Sequence, residues 1–560
     1  MRLYLLDYGA GNVQSLANTL TRLGQEFKWI SSPADFDDAT ALIFPGVGSF
    51  GSAIQGLHER GLFEPLRAYI KSGRPYFGIC IGLQVLFQSS AESPGSEGLG
   101  IIPSSIERFD DTDKSVPHIG WNSTDFLDQA QKPDEGMNET TYYYFVHSFC
   151  AKYDIEKYPG AAEWAHATTQ YGTELFVASV SRSNVFATQF HPEKSGAAGL
   201  DLIDAWLKNP AVGIPKTPRL IIRPQGLHNF TKRIIACMDV RANDDGDLVV
   251  TKGDQYDVRE KADDAPADAT LATTTAGAVR NLGKPVALAA RYYEQGADEL
   301  CLLNITSFRH SPLQDQPMLA VTRAAAACVF VPLTIGGGIK DTTDPDGTPR
   351  SALDVASAYF RAGADKVSIG SEAVYAAERW LANGRKGDGK SAMETIAHAY
   401  GRQAVVVSID PRRAYVNPET YDGPFKNELV LGTADSPEAD RGKAWWYQCT
   451  VSGGRETRNV SVVQLAQAAE ALGAGELLLN SIDRDGTGLG FDLDLVKLVK
   501  RSVRIPVVAS SGAGNASHFV DVFRETGVEA ALAAGIFHRE EVGITEVKHA
   551  LQAAGINARI

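Results

Sequence analysis

Eight short runs of β-branched and aliphatic residues follow one another in the second part of the chain, and helical stretches separate them. The runs cover residues 232–239, 298–304, 330–335, 365–369, 404–410, 476–481, 505–510 and 529–535. Eight strand-helix units in series predict a (β/α)8 barrel, whose active site forms at the carboxyl ends of its strands. The barrel is therefore the largest structural constraint that this sequence carries.

The barrel pattern is doubled. Asp239 ends the first run and Asp410 ends the fifth, while glycine-rich turns at 335–339 and 510–514 follow the third and the seventh. Two carboxylates and two glycine turns would thus lie on opposite sides of the barrel mouth. Glycine turns at helix N-termini suit a substrate with a phosphate at each end, with the carboxylates over its middle. Since an aspartate at a strand end is also a common helix N-cap, a structural role for either residue stays open.

Before the barrel, residues 1 to about 208 alternate strands and helices and predict an α/β domain with a mostly parallel sheet. Within it, a short apolar strand runs into Gly78, Cys80 and Gly82 and then into an apolar helix. This is the strand-turn-helix pattern of a nucleophile elbow, with cysteine in place of serine. The field at the helix N-terminus favours the reactive thiolate. The alternative is a buried cysteine without chemical function.

Possible partners of this cysteine follow later in the same domain. His191 and Glu193 come just past a run at 183–190, where a base and its orienting carboxylate can face a nucleophile. A turn at 44–50 follows another strand and can direct backbone N–H groups at a developing oxyanion. His118 and His147 have no evident second partner, so we predict packing or loop positions for both.

Composition limits the function classes. Five hundred and sixty residues suggest two to four domains. Four prolines between Lys208 and His228 place a linker at 209–228, between domains at 1–208 and 229–560.

A net charge of −14 argues against nucleic-acid binding. The six cysteines have no paired spacing, so neither a disulfide framework nor a zinc site is indicated. No apolar run reaches membrane-spanning length and no signal cleavage site is evident, so we expect a cytosolic protein.

These motifs carry two family resemblances. The first part of the chain resembles class I glutamine amidotransferases, which hydrolyse glutamine to glutamate and ammonia. The resemblance implies that Cys80 is the nucleophile, His191 the base and Glu193 its orienting group. It also implies an oxyanion and glutamine-binding set comprising Gly46, Val47, Gly48, Gln84, Ser148 and Phe149.

The second part resembles the cyclase of the imidazole glycerol phosphate synthase family, and the order of the two parts is similar to the fused eukaryotic form. The motifs lie at 233–240, 335–339, 363–369, 404–410, 481–487 and 509–514. The resemblance implies that ammonia reacts with a phosphoribulosyl formimino aminoimidazole carboxamide ribotide. The products are imidazole glycerol phosphate, for histidine synthesis, and aminoimidazole carboxamide ribotide, which returns to purine synthesis.

Asp239 and Asp410 are the expected general acid and base of this cyclisation. The resemblance further implies a set of substrate contacts, namely Lys252, Gly338, Gly370, Ser371, Asp485, Thr487, Ser510, Gly512, Ala534 and Gly535. Lys252 lies in a polar segment at 243–275 that suits a mobile lid. Asn304 and Ser511 depart from the family pattern, and their roles are left open.

Four charges begin strands one, two, four and six at the N-terminal face of the barrel, namely Arg233, Glu299, Lys366 and Glu476. The resemblance favours an ammonia gate, with the glutaminase docked on this face. A structural salt-bridge layer is the usual meaning of that face. No metal or organic cofactor is implied, no separate glutaminase subunit is needed, and we expect a monomer.

Three other interpretations remain at this stage. A pyridoxal phosphate synthase also pairs a glutaminase with a barrel, but it would favour lysines at the strand ends where this chain has aspartates. The glutaminase could instead be an inactive docking scaffold for an ammonia-dependent barrel. The whole chain could also be a phosphosugar-binding regulator without turnover.

Overall fold

The computed structural model of the chain describes residues 1–9, 11–127, 136–210, 229–242, 248–251, 285–305, 317–344, 346–433 and 438–560. Lys252, most of the segment 243–275 and the linker from residue 211 to 228 lie outside these ranges. Among the described residues, no helix combines the length and the apolar character needed to cross a bilayer.

An eight-stranded sheet organises the N-terminal unit. Its first five strands in spatial order pair in parallel and the last three are antiparallel. In that order the strands are Lys28–Ile30, Leu3–Leu6, Ala41–Phe44, Tyr76–Ile79, Val185–Thr188, Glu174–Arg182, Ala165–Tyr171 and Asp125–Phe126. Leu3 and Leu5 pack into one core cluster while Tyr4 and Leu6 pack into another. Strands covered on both faces require such continuous apolar runs.

The helices of this unit are Gln14–Arg22, Asp35–Asp38, Phe50–Glu59, Phe63–Lys71, Ile81–Gln84, Pro159–Trp164 and Gly196–Lys208, with a 3-10 turn at Pro192–Lys194. The remaining strands are Phe87–Ser90, Ile102–Arg108 and Phe149–Cys150 in one small sheet, and His118–Asn122 with Tyr143–His147 in another. The helix after the predicted elbow is only one turn long, ending at Gln84.

The second unit is a closed parallel barrel, as the eight-unit pattern predicts. Its strands are Arg233–Ala242, Glu299–Asn304, Leu333–Gly336, Lys366–Ile369, Val405–Ile409, Glu476–Asn480, Val507–Ser510 and Ala530–Ala533. The first strand pairs with both the second and the eighth, which closes the barrel. Its helices are Pro285–Glu294, Pro317–Ala326, Ala352–Ala362, Ser371–Ala382, Ala392–Tyr400, Val462–Ala471, Leu493–Lys500, Ala516–Thr526, Gly535–His538 and Ile544–Ala553.

A small antiparallel sheet is inserted after the fifth barrel strand, and the eight-unit pattern did not predict it. Its strands are Pro411–Val416, Val430–Leu431, Ala444–Val451 and Glu456–Ser461. Short pieces elsewhere are the strands Leu248–Thr251, Thr342–Thr343 and Pro349–Arg350, and 3-10 turns at Arg402–Ala404, Lys426–Glu428 and Glu438–Asp440. The Arg413 guanidinium anchors the insert, because it pairs with Asp440 at 2.7 Å and with Asp492 at 3.0 Å.

The N-terminal unit packs against the N-terminal face of the barrel. Trp121 and Tyr144 belong to the same apolar cluster as the barrel core. The Trp121 indole donates to the Asp298 carbonyl at 3.0 Å, and the Arg559 guanidinium lies 4.0 Å from the centre of its ring. Since Asp298 directly precedes the second barrel strand, the contact lies at the end of the barrel away from Asp239 and Asp410.

Candidate active sites

Cys80 lies at a sharp turn between the strand Tyr76–Ile79 and the short helix Ile81–Gln84. Its backbone has φ +51° and ψ −97°, a strained conformation for a residue with a side chain. The flanking glycines are required by space. A Cβ on Gly78 would lie 2.4 Å from the Gly82 carbonyl oxygen, and one on Gly82 would lie 2.1 Å from that of Phe44. The elbow geometry that the sequence predicts is therefore present.

His191 and Glu193 converge on the thiol. The Nδ1 atom of His191 lies 2.7 Å from Oε1 of Glu193, and both side chains are buried. Burial disfavours the imidazolium, but the charges of Glu193 and Cys80, and hydrogen bonds to both, hold the pKa of His191 well above its usual value. Gln189, which the sequence analysis did not select, donates from Nε2 to the Cys80 sulfur at 3.4 Å.

The predicted oxyanion turn lies beside the elbow. A Cβ on Gly46 would meet Ile81 at 2.6 Å, and one on Gly48 would lie 2.5 Å from the Tyr8 hydroxyl oxygen. That hydroxyl donates to the Val47 carbonyl at 3.1 Å, and burial raises the pKa of Tyr8 so that it stays protonated. Tyr8 is thus a clamp on the turn that the sequence analysis missed, because nothing in the local pattern links Tyr8 to Val47.

Another missed residue is Glu92, at the far end of the same turn. Its Oε2 atom accepts from the Phe50 backbone N–H at 2.7 Å, where the helix Phe50–Glu59 begins. Burial raises the pKa of this carboxyl despite the hydrogen bond. An acidic side chain therefore lies at the end of the glycine turn, where the helix begins.

The predicted glutamine-binding residues surround the elbow. Gln84 donates from Nε2 to the Phe149 carbonyl at 3.0 Å and to the Gln189 side-chain oxygen at 3.1 Å. The Ser148 hydroxyl is buried and has no hydrogen-bond partner within the described ranges. Since Gln189 also contacts the sulfur of Cys80, Gln84 and Phe149 are linked to the nucleophile through one side chain.

His118 and His147 belong to a buried aromatic cluster, where the sequence predicts packing positions. Their Nδ1 and Nε2 atoms are 3.3 Å apart, and Nδ1 of His147 lies 2.8 Å from the Phe149 carbonyl oxygen. Burial lowers the pKa of His147 to about 3, so its ring is neutral. A neutral ring bonded at both nitrogens suits a structural role better than proton transfer.

At the opposite end of the barrel, the carboxyl ends of the strands enclose a cavity of about 880 Å³. The cavity is lined by all the predicted substrate contacts in the described ranges, namely Gly338, Gly370, Ser371, Asp485, Thr487, Ser510, Gly512, Ala534 and Gly535. Asp239 and Asp410 line it as well. Its size falls within the usual range for ligand pockets.

Asp410 is held from both its side chain and its backbone. Asn480 donates from Nδ2 to Oδ1 of Asp410 at 2.9 Å, and the Thr450 hydroxyl donates to its carbonyl at 2.6 Å. Burial raises the pKa of Asp410, and the charge of Asp485 acts in the same direction, while hydrogen bonds from Asn480 and Ser408 oppose them. A carboxyl with a raised pKa is suited to exchange protons near neutral pH.

The two glycine turns have matching backbone geometry. Gly337 and Gly338 have φ of +89° and +78°, and Ser511 and Gly512 have +74° and +98°. Ser511, which departs from the family pattern, thus takes the left-handed conformation of its glycine counterpart. The helix Ser371–Ala382 follows the strand Lys366–Ile369, which pairs with the strand before the first turn. The N–H groups at the start of this helix therefore face the rim of the cavity. Asn304, the other departure, lines the cavity and hydrogen-bonds with the Tyr359 hydroxyl.

The four predicted ring charges meet at the N-terminal face. Glu299 contacts Arg233 at 2.6 Å and Lys366 at 2.7 Å, and Glu476 contacts Lys366 at 2.6 Å as well as Arg233. All four side chains are at most 2% exposed. Burial alone would raise the pKa of Glu476, but Arg233 and Lys366 lower it to about 2. The ring is therefore a closed set of two basic and two acidic side chains joined by ion pairs.

Comparison with known proteins agrees with both halves of this arrangement. The family model described as "Glutamine amidotransferase class-I" matches residues 4–207, and the one described as "Histidine biosynthesis protein" matches residues 233–543. The "Imidazole glycerol phosphate synthase hisHF" of Schizosaccharomyces pombe is 52% identical over 98% of this chain and 98% of its own length.

A plant relative, "Imidazole glycerol phosphate synthase hisHF, chloroplastic" of Arabidopsis thaliana, is 51% identical over 99% of this chain and 89% of its own length. The "Imidazole glycerol phosphate synthase subunit HisF" of Natronomonas pharaonis is 38% identical over 59% of this chain and 99% of its own length. The archaeal protein thus corresponds to one part of this chain only, whereas the fungal and plant proteins correspond to all of it. The chain belongs to the imidazole glycerol phosphate synthase family, in the fused form that joins a glutaminase and a cyclase of histidine biosynthesis in one enzyme.

Proposed function

We propose that this enzyme hydrolyses glutamine at Cys80, passes the ammonia through the barrel, and uses it at the opposite cavity. There it converts phosphoribulosyl formimino aminoimidazole carboxamide ribotide into imidazole glycerol phosphate and aminoimidazole carboxamide ribotide. The observation that carries the proposal is the placement of the parts. The unit that contains the triad packs on the N-terminal face of the barrel, where the charged ring lies, and the two-aspartate cavity lies at the opposite end.

At the glutaminase site, the Cys80 thiolate attacks the carboxamide carbon of glutamine. The raised pKa of His191 keeps its imidazolium charged, so it can give a proton to the departing ammonia. Water then cleaves the thioester and releases glutamate. Gln84, Ser148 and Phe149 hold the substrate in this proposal, and the turn from Gly46 to Gly48 supplies the oxyanion donors.

Ammonia then enters the barrel at the ring of Arg233, Glu299, Lys366 and Glu476, which acts as the gate. Beyond the ring, the barrel interior is lined by a cluster of mostly apolar residues, namely Ile235, Cys237, Cys301, Val406, Leu478, Val508, Ala530 and Leu532. An apolar interior admits neutral ammonia and disfavours ammonium, because burying an unpaired charge costs far more than burying a small polar molecule. The ammonia therefore stays unprotonated inside the barrel.

At the cyclase site, the substrate spans the cavity with one phosphate at each glycine turn. Gly338, Gly370 and Ser371 bind one end, and Gly512, Ala534 and Gly535 bind the other. Asp239 and Asp410 lie between the turns and act as general acid and base while the bond to the leaving ribotide breaks and the imidazole ring closes. Asp485, Thr487 and Ser510 are further substrate contacts, and Lys252 is a proposed contact from the lid.

The finer assignments complete the proposal. The enzyme acts as a monomer without metal or organic cofactor, because the barrel carries its own glutaminase and the described side chains supply the acid, the base and the nucleophile. We place it in the cytosol, since all six cysteines are unpaired, five of them buried. Subcellular fractionation with antibody detection tests the location, and a sedimentation experiment tests the monomeric state.

The decisive experiment measures glutamate release with glutamine alone and again with the bis-phosphate ribulosyl substrate. We expect the substrate to raise the rate by about tenfold or more, with one imidazole glycerol phosphate formed per glutamate. Equal glutamate release without the substrate, and no imidazole product, would leave a glutaminase but contradict the cyclase and the coupling. A Cys80 that alkylates no faster than the other five cysteines would support an inactive scaffold instead.

A further inference from the structure

The Asn480 side chain links Asp410 to Ser408 through two hydrogen bonds. Asn480 ends the sixth barrel strand, and its Nδ2 group donates to Oδ1 of Asp410 at 2.9 Å and to the Ser408 hydroxyl oxygen at 3.0 Å. All three side chains line the cavity. An amide nitrogen carries two hydrogens, so both donors of Asn480 are used by these two bonds.

The strand register produces this contact. The fifth and sixth strands pair in parallel, with Ile409 opposite Leu479, so the next residues, Asp410 and Asn480, lie side by side. Ser408 and Asp410 are two residues apart and face the same side of their strand. The amide is therefore held between two fixed acceptors, and it cannot turn without breaking a bond to one of them.

We propose that Asn480 is a positioning residue for Asp410, which sets both the orientation and the ionisation of its carboxyl in the cyclase reaction. This inference rests on the proposed role of Asp410. The amide occupies Oδ1 and directs proton exchange with the substrate to Oδ2. A donor to the charged form also favours the carboxylate, and an amide does so at every pH because it does not itself titrate.

Other ionisable groups act on the same carboxyl from neighbouring elements. Asp485, in the loop after the sixth strand, disfavours the carboxylate by its charge. Cys449 faces Asp410 from the inserted sheet, and Asp239 lies across the same cavity. Against burial and the charge of Asp485, the hydrogen bonds from Asn480 and Ser408 favour ionisation of Asp410. Removing the amide should therefore leave Asp410 protonated over more of the neutral range.

The test uses the full-length enzyme with external ammonia and the ribulosyl substrate, and it compares Asn480→Leu with Asn480→Thr. A hydrogen bond to a charged group is stronger than one between neutral groups, so for Asn480→Leu we expect the acid limb of the kcat profile to move up by about one pH unit. On the acid side of this limb kcat should fall about tenfold, while KM changes less than about threefold. Asn480→Thr keeps a donor and should return the limb to within about half a unit.

Two measurements separate the possible failures. Substrate stimulation of glutamate release reports folding and binding, so Asn480→Leu must still be stimulated for its kcat to be interpreted; if it is not, Asn480→Ala, which also removes the donor but adds no bulk, supplies the same shift. An unmoved acid limb in both variants would overturn the role of Asn480. Asp410→Asn tests the underlying assignment: if it still cyclises, the role proposed for Asp410 itself fails, whatever the profile of the Asn480 variants.

Discussion

Lys194 and Asp365 form an ion pair across the domain boundary, with the lysine Nζ atom 2.8 Å from Oδ2 and the lysine side chain 2% exposed. Lys194 directly follows Glu193 of the triad, and Asp365 directly precedes Lys366 of the charged ring. Asn12 donates to the other oxygen of Asp365 at 2.8 Å. The triad of the glutaminase site and the charged ring at the entrance of the barrel are thus joined by one ion pair between neighbours of their key residues.

The substitution Lys194→Met tests this connection. It leaves Asp365 without its cation in a nearly dry interface, where removing one partner of a buried pair costs about 3–5 kcal/mol. We expect substrate-stimulated glutamate release to fall at least about tenfold, while cyclisation with external ammonia changes less than about twofold. Coupled and ammonia-dependent rates measured on one preparation give both numbers.

The matched control is Arg361→Met. Arg361 also crosses the boundary, but it is 57% exposed and 3.9 Å from Asp7, and such surface pairs contribute little. Stimulation of the Arg361 variant should stay close to that of the unmodified enzyme. If Lys194→Met is stimulated as strongly as Arg361→Met, the buried pair has no part in the coupling.

The triad makes a prediction about pH. Glu193 raises the pKa of His191, so the imidazolium persists through the neutral range. It is lost only when the pH rises above this raised pKa. In Glu193→Gln the pKa of His191 should fall, because burial then acts without the opposing carboxylate. The alkaline limb of the glutaminase kcat/KM profile should therefore move down by about one pH unit or more.

Glutamate release in the presence of the ribulosyl substrate, from about pH 6 to 10, measures that limb. Glu97→Gln removes an equal charge from an exposed position of the same unit and should leave the limb in place. An alkaline limb at the same pH in both variants would show that Glu193 does not set the protonation of His191.

The sequence predicted those parts of the structure that depend on local pattern. The elbow around Cys80, the pair His191 and Glu193, and Asp410 each follow from a few neighbouring residues and a strand that ends there. The prediction that the first barrel strand ends at Asp239 was wrong, because this strand continues to Ala242 and pairs there with Leu248–Thr251. The barrel also followed, because eight similar units have one common way to close. The ring charges were predictable since all four begin barrel strands.

Contacts between distant segments were not predictable in this way. Tyr8 binds the carbonyl of Val47, and Asn480 binds Asp410, only after the sheet and the barrel have set their registers. The insert after Asp410 was missed because its sheet has no counterpart in the repeated pattern, and Arg413 anchors it through two distant aspartates. The positive φ of Ser511 is a backbone property that its side chain disfavours, so sequence alone gave no reason for it.

The charged ring can be tested through the yield of the coupled reaction. Lys366→Met removes one cation and leaves Glu299 and Glu476 facing Arg233 alone, so the ring no longer holds equal charges. We expect glutamate release to continue while the imidazole product falls below about half of the glutamate, because ammonia no longer enters the barrel efficiently. External ammonia should restore product formation.

Lys390→Met, on an exposed loop of the barrel, is the control for this charge change and should keep a ratio of imidazole product to glutamate of one.

The pKa of Glu476, held at about 2, adds a second expectation. A depressed carboxyl pKa stabilises the folded state above the unfolded value of about 4.3, and this stabilisation is lost only as the pH falls toward the folded value. If Glu476 controls entry, the product ratio should be constant from about pH 6 to 9, and a ratio that drifts within that range would contradict a Glu476 carboxylate that stays ionised across it.

The hydroxyl of Tyr8 makes the most local prediction. It holds the Val47 carbonyl at 3.1 Å, and in the proposed mechanism that peptide belongs to the turn that presents N–H groups to the oxyanion. If the clamp opposes a reorientation of this turn, Tyr8→Phe should raise basal glutamate release with glutamine alone. One neutral hydrogen bond contributes about 0.5–1.5 kcal/mol, which corresponds to an increase of about two- to tenfold.

Tyr4→Phe removes a hydroxyl from a buried tyrosine of the same strand region and should leave the basal rate unchanged. A basal rate that falls in Tyr8→Phe would mean that the hydroxyl supports the active form of the turn, and the rate with the ribulosyl substrate should then fall with it.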